Sequence, residues 1–130
     1  MIVEIPVSVG ELIDKITILE IKNKKIKDKY KLANVKYELK LLNSFVSKNK
    51  LNTKLIKDLK ANLHSINSKL WIVEDKLRDH EHKNKFNKNF IVLARKVYFL
   101  NDKRSVIKKD INVSVGSMII EQKSYKDYKN

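Results

Sequence analysis

The chain contains no cysteine, one proline, two glycines and only three arginines among its 29 basic residues. Without thiols there are no disulfides, thiolate metal sites, cysteine nucleophiles or thiol redox chemistry, and a reducing cytoplasm is the expected compartment. Neither glycine, Gly10 nor Gly116, belongs to a glycine-rich phosphate loop. No apolar run approaches the roughly 18 residues of a membrane span. The opening MIVEIPVSVGELIDK also lacks a basic segment followed by an apolar core, so neither membrane insertion nor secretion is expected.

What is abundant is lysine. The formal charge is +14, and Lys, Asn and Ile together make up 54 of the 130 residues, the set that A/T-rich codons supply. Coding bias can therefore raise the lysine content without selection for binding. By stretch the charge is −3 over residues 1–21, +10 over 22–60, −1 over 61–82 and +8 over 83–130. Lys22, Lys24, Lys25, Lys27, Lys29 and Lys31 nearly alternate with other residues, and period two rings a helix instead of striping it. A solvated surface is the preferred reading of Lys22 to Lys60, and nonspecific binding of nucleic acid or another polyanion is the alternative.

The length fits one domain, residues 1–130, large enough for a core without staples. Apolar spacing predicts four helices. Ser8-Val9-Gly10-Glu11 reads as a capping box, with Glu11 able to reach back to the cap N–H. Leu12, Ile16, Leu19 and Ile26 then form one stripe, and Ile18 and Ile21 a second. Two stripes imply contact on two sides, with other helices or with a second subunit, which makes a homodimer one expectation. A second helix is expected over about 30–47, separated from the first by Asp28 as N-cap. A third, capped by Asn52 or Thr53, carries Leu59, Leu63, Ile66, Leu70, Val73, Leu77 and His80 in coiled-coil spacing. The fourth runs from Phe86 to Ile111, interrupted at a core position by Arg104. The β-branched residues of Val113 to Ile120 predict an extended tail, Ile2 to Ile5 is strand-like and able to lie beside it, and 123–130 is expected to fray. The fold class is thus an all-α antiparallel bundle whose last two helices are the longest.

If helices three and four form a hairpin turning near Asn84, Tyr98 falls near Trp71 and Arg95 near Glu74, with Asp75 and Arg78 on the same helix as Trp71. Two of the three arginines thus join a patch of Trp71, Glu74, Asp75, Arg78, Arg95 and Tyr98, and Arg104 lies one or two turns away. Arginine offers a planar fork for carboxylates or phosphates. The structural reading is an ion pair that sets the hairpin register, and the functional reading is an interaction or ligand patch. Arg104, at a core position, needs a carboxylate from Asp14, Glu20 or Glu11. His80-x-His82 points its rings apart on a helix and His64 stands alone, so no metal site is expected. No catalytic residue or cofactor is assigned.

The opening Pro6-Val7-Ser8-Val9-Gly10-Glu11-Leu12-Ile13-Asp14-Lys15-Ile16-Thr17-Ile18-Leu19-Glu20-Ile21-Lys22 resembles an uncharacterised family of small bacterial proteins, a domain of unknown function. Leu32-Ala33-Asn34-Val35, Leu70-Trp71, Glu74-Asp75, Leu93-Ala94-Arg95, Asn101-Asp102, Gly116-Ser117 and Lys123-Ser124-Tyr125 resemble the same family, which implies no assigned activity. Leu12-Ile13-Asp14 through Leu19 is also similar to the first helix of all-helical chorismate mutases. Here Lys24 stands eleven residues after Ile13 and no Arg precedes Asp14, a departure from that family's dicarboxylate-binding arginines. The leading expectation is a non-enzymatic interaction module for a protein partner or a second copy. A small-molecule or anion-binding enzyme using Arg95, Arg104, Glu74 and Asp75 is the other alternative.

Overall fold

The computed structural model describes residues 1–128. Its four helices begin where short polar side chains satisfy the first free N–H groups. Ser8 caps α1 (Val9–Lys25), Asp28 caps α2 (Lys29–Lys48), Thr53 caps α3 (Lys54–His82) and Asn87 caps α4 (Lys88–Val115). The break between α1 and α2 falls as expected, with Ile26 extended and Asp28 accepting from the Lys31 N–H. Asn84, at φ 52°, turns the chain between α3 and α4, a conformation asparagine tolerates better than most residues. The Lys85 N–H closes α3 by donating to the His80 carbonyl.

The helices pack as two antiparallel hairpins, and α3 and α4 are the longest at 29 and 28 residues. α1 lies across the base of the α3–α4 hairpin. Its first turn meets α4 at Lys108 and Asn112, and its later turns reach α3, where Glu20 pairs with Lys60 at 2.6 Å. α2 packs on α1 alone. Ile13 and Ile16 of α1, Leu63 of α3 and Ile111 of α4, each at most 1% exposed, centre the core, joined by Val46 and Ile56. Each such side chain contributes about 1.5–3 kcal/mol by leaving water. The second stripe of α1 is taken up within the chain, since Ile21 is buried, Ile18 is half-buried and α1 touches all three other helices. Ile18 and Ile21 therefore carry no argument for a second subunit.

Four expectations need correction. α4 does not stop at Asn112 but includes Val113, Ser114 and Val115. Val115 packs against the core, and Gly116, left-handed at φ 63°, supplies the stop while the Ser117 N–H donates to the Asn112 carbonyl. Second, Glu11 does not reach back to its cap, because Lys108 takes its carboxylate at 2.8 Å. Third, no strand occurs among the described residues. Ile2, Val3 and Ile5 are extended and exposed, although the two ends do lie beside each other, with the Val9 N–H donating to Ser117 Oγ at 3.4 Å. Fourth, the described part of the tail does not run out into solvent. The tail returns along α4, held by Glu121 on Lys108 and by Tyr128, whose hydroxyl donates to Asp102 and whose ring meets Tyr98 and Phe99. Residues 129 and 130 of the expected frayed end lie outside the described residues.

Candidate functional site

Helical spacing sets Gly10, Asp14 and Thr17 along one side of α1, and Asn101, Arg104, Lys108 and Asn112 along one side of α4. Where these sides meet, the interior is polar. Asp14, 1% exposed, accepts at Oδ1 from Arg104 Nε (2.9 Å) and from Asn67 Nδ2 of α3 (2.9 Å), and at Oδ2 from Arg104 Nη2. The guanidinium thus forks onto the carboxylate, the geometry for which arginine is suited. Asn67 also donates to Thr17 Oγ1, and the Thr17 hydroxyl donates to the Asp14 carbonyl. Arg104 Nη1 reaches Asn101 Oδ1 at 3.3 Å. Among the carboxylates considered for Arg104, Asp14 is the partner.

One turn further along α4, Lys108 Nζ sits between Glu11 (2.8 Å) and Glu121 of the tail (2.9 Å), and Glu121 also holds Lys123. Another turn on, the Gly10 N–H donates to the buried Asn112 Oδ1 at 2.6 Å. The hydrogen bonds that Arg104 donates to Asp14 outweigh burial and raise the Arg104 pKa above its ordinary value. Burial pulls Lys108 down, yet the bonds to Glu11 and Glu121 prevail and leave it raised. Lys123 and then Lys108 hold Glu121 down at about 2. At neutral pH this seam is a set of mutually neutralised charges. Chemically it locks α1 and the tail onto α4.

The Glu121 shift gives a pH test. Lys123 belongs to the tail itself, so the part of this depression tied to docking is the bond to Lys108, which contributes to docking fully above the free value, near 4.5, and progressively less as pH falls toward 2. The Glu121 side-chain carbon, followed by NMR, should titrate near 2 in the intact chain and move back toward the free value in Lys108→Met. A Glu121 midpoint near 4.5 in the intact chain would mean the tail is undocked.

The other sequence candidates fall elsewhere. Trp71 is half-buried, and Glu74, Asp75, Arg78, Arg95 and Tyr98 are exposed, on the half of the α3–α4 hairpin beyond α1. Among the described residues, no ion pair joins Glu74, Asp75, Arg78 or Arg95 to any other group, so the expected pair setting the hairpin register is not formed. Arg95 lies over the Phe99 ring at 5.6 Å, and Tyr98 stacks with Phe99 and Tyr128, not with Trp71. Arg104 is separated from them by its engagement with Asp14. Trp71, Glu74 and Arg78 follow Asn67 at four, seven and eleven residues, so they continue the side of α3 that Asn67 presents to α1. His80 serves the hairpin turn, with Nδ1 2.8 Å from the Lys85 carbonyl and its ring against Phe90. Among the described residues no cluster of three or more His, Cys, Asp or Glu could hold a metal, and no helix is long and apolar enough to cross a membrane.

Sequence reasoning missed Lys108, Asn112, Asn67, Thr17 and Glu121. The available signal was the run Asn101, Arg104, Lys108, Asn112 at steps of three and four, a polar stripe beside the apolar one on α4.

Fold and seam together define an all-helical scaffold in which two hairpins are locked by a buried ionic contact. The chain belongs to the family of unknown function DUF6165, whose model matches residues 1–129. No curated protein and no solved structure matches it.

Proposed function

We propose that the protein is a cytoplasmic, non-enzymatic interaction module that docks a protein through the part of the α3–α4 hairpin beyond α1. One observation carries this reading: burial fades along the hairpin. At the base, Leu63 and Ile111 are fully buried. Beyond α1, Leu77, Phe90, Leu93 and Val97 occupy equivalent inward positions but are only half-buried, and Phe86, Ile91 and Val92 are about half exposed or more. A two-helix layer buries one stripe per helix and needs a further layer to complete its core. The half-exposed Trp71 and the unpaired Glu74, Asp75, Arg78 and Arg95 flank this region, the mixture of aromatic and arginine anchors that protein interfaces favour.

A second copy is the simplest occupant. Residues 71–82 carry four carboxylates against Lys76 and Arg78, whereas 83–98 carry five cations and no carboxylate. Around a two-fold axis the acidic α3 of one copy would face the basic start of α4 in the other, completing a four-helix layer.

A photo-crosslinking residue at Arg78 or Tyr98 should give one discrete protein adduct in cells, and the same residue at exposed Lys109 should give none. Labelling that is equal at all three sites would sink the interaction reading. For the second copy, sedimentation equilibrium of the purified chain should show a dimer that Glu74→Lys with Asp75→Lys weakens at least about tenfold. A monomer throughout, together with a discrete adduct of another mass, would reject the homodimer and keep the module. The enzyme reading requires Arg104 to be available beside Arg95, and Arg104 is held by Asp14.

A further inference from the structure

α2 packs on α1 alone, through Val35 and Val46 with Leu32, Leu39 and Leu42 half-buried beside them. Its opposite side faces solvent, and the side chains there follow a pattern. The dipeptide Lys-Tyr occurs at 29–30 and again at 36–37, seven residues apart, which returns each residue type to the same face two turns on, roughly 10.5 Å along the axis. Lys40, one turn past Lys36, extends the cationic row. Tyr30 is 82% exposed and Tyr37 64%. Neither ring stacks on another described residue, and neither hydroxyl has a partner among them.

The face is also unneutralised. The one carboxylate within α2, Glu38, lies toward α1 and is bound to Lys15 at 2.9 Å, and the capping Asp28 is engaged with the Lys31 N–H. Coding bias can raise the number of lysines, but it does not set two exposed, unpartnered tyrosine rings in register beside them. The sequence pattern alone concealed this, since the alternating lysines of 22–31 suggested charge all round.

We propose that the outward face of α2 binds single-stranded nucleic acid, with Lys29, Lys36 and Lys40 on backbone phosphates and Tyr30 and Tyr37 stacking on bases. Rows of cations and exposed aromatic rings running in parallel are the elements that sequence-tolerant single-strand binders combine. Duplex readout fits less well, because base edges are read chiefly by arginine and amide forks, and the chain has no arginine before Arg78. This site is independent of the hairpin surface proposed above, and neither depends on the other.

The test is fluorescence anisotropy of a labelled short oligothymidine, with labelled heparin as a polyanion that has no bases. Intact chain should bind the oligonucleotide with affinity falling steeply between about 50 and 200 mM salt. Lys36→Glu with Lys40→Glu should lose at least about tenfold, and the same charge change at exposed Lys103 and Lys109 of α4 should lose about threefold or less. Tyr30→Ala with Tyr37→Ala should lose about tenfold on oligothymidine and leave heparin binding unchanged. All of these positions are exposed, so each variant should retain its helical circular dichroism. Equal losses from the two lysine pairs would mean diffuse charge attraction and overturn the proposal. So would tyrosine substitutions that leave oligothymidine binding intact or weaken both ligands alike, and so would an intact chain that does not bind.

Discussion

Arg104→Met is expected to lower the stability of the chain by about 3–5 kcal/mol, the cost of stranding one member of a buried ion pair. Asp14 is 1% exposed and would retain only the Asn67 amide on its carboxylate. Urea unfolding of the variant beside the intact chain measures the loss. Pairing the change with Asp14→Leu should recover much of the loss, because replacing both charges by apolar groups removes the stranded one. A loss below about 1 kcal/mol for Arg104→Met alone would show that water reaches Asp14 and that the seam is a surface salt bridge.

The parts of the structure legible in the sequence are those set by local rules. Ser8, Asp28 and Thr53 act as N-caps because a short polar side chain preceding an apolar repeat has one low-energy use. The four helices, their order and the hairpin turn at Asn84 follow from such signals and from steps of three and four. Arg104 was legible as an anomaly, since a guanidinium on a core stripe needs a carboxylate. Its choice of Asp14 over Glu11 and Glu20 was not, because that depends on how α1 crosses the hairpin. The same crossing gives Glu11 to Lys108 and Glu20 to Lys60. The Trp71 patch failed as a bonded cluster for a related reason: a register estimated from the turn places residues at the same height but does not say which sides of two helices converge. Val113 to Val115 misled because β-branched residues weaken a helix by only tenths of a kcal/mol, which the packing of Val115 and the stop at Gly116 readily outweigh.

Gly10→Ala carries the second large expected effect, and its direction is opposite to what helix propensity alone dictates. Inside a helix alanine is favoured over glycine by about 1 kcal/mol, and Gly10 lies in the first turn of α1. Yet a Cβ added there would come within 2.5 Å of the Lys108 carbonyl oxygen and 3.0 Å of Asn112 Oδ1. The nearer atom is backbone in the interior of α4, so no side-chain rotation relieves the contact and α1 must move away from α4. That motion stretches the 2.6 Å bond from the Gly10 N–H to Asn112 Oδ1, leaving a buried donor and acceptor short of partners at about 1–3 kcal/mol. Overpacking adds about 1–3 kcal/mol. The net expectation is a loss of about 2–4 kcal/mol, measured by chemical unfolding. Adding Asn112→Ala should not restore stability, since it leaves the Lys108 carbonyl in place. Because α1 is the helix on which α2 packs, hydrogen exchange should accelerate in both helices together in Gly10→Ala, with the α3–α4 hairpin amides beyond Trp71 little affected. Exchange confined to the first turn of α1, or a variant as stable as the intact chain, would mean that α1 can shift on α4 at little cost and that the close approach at Gly10 does not hold the two hairpins together.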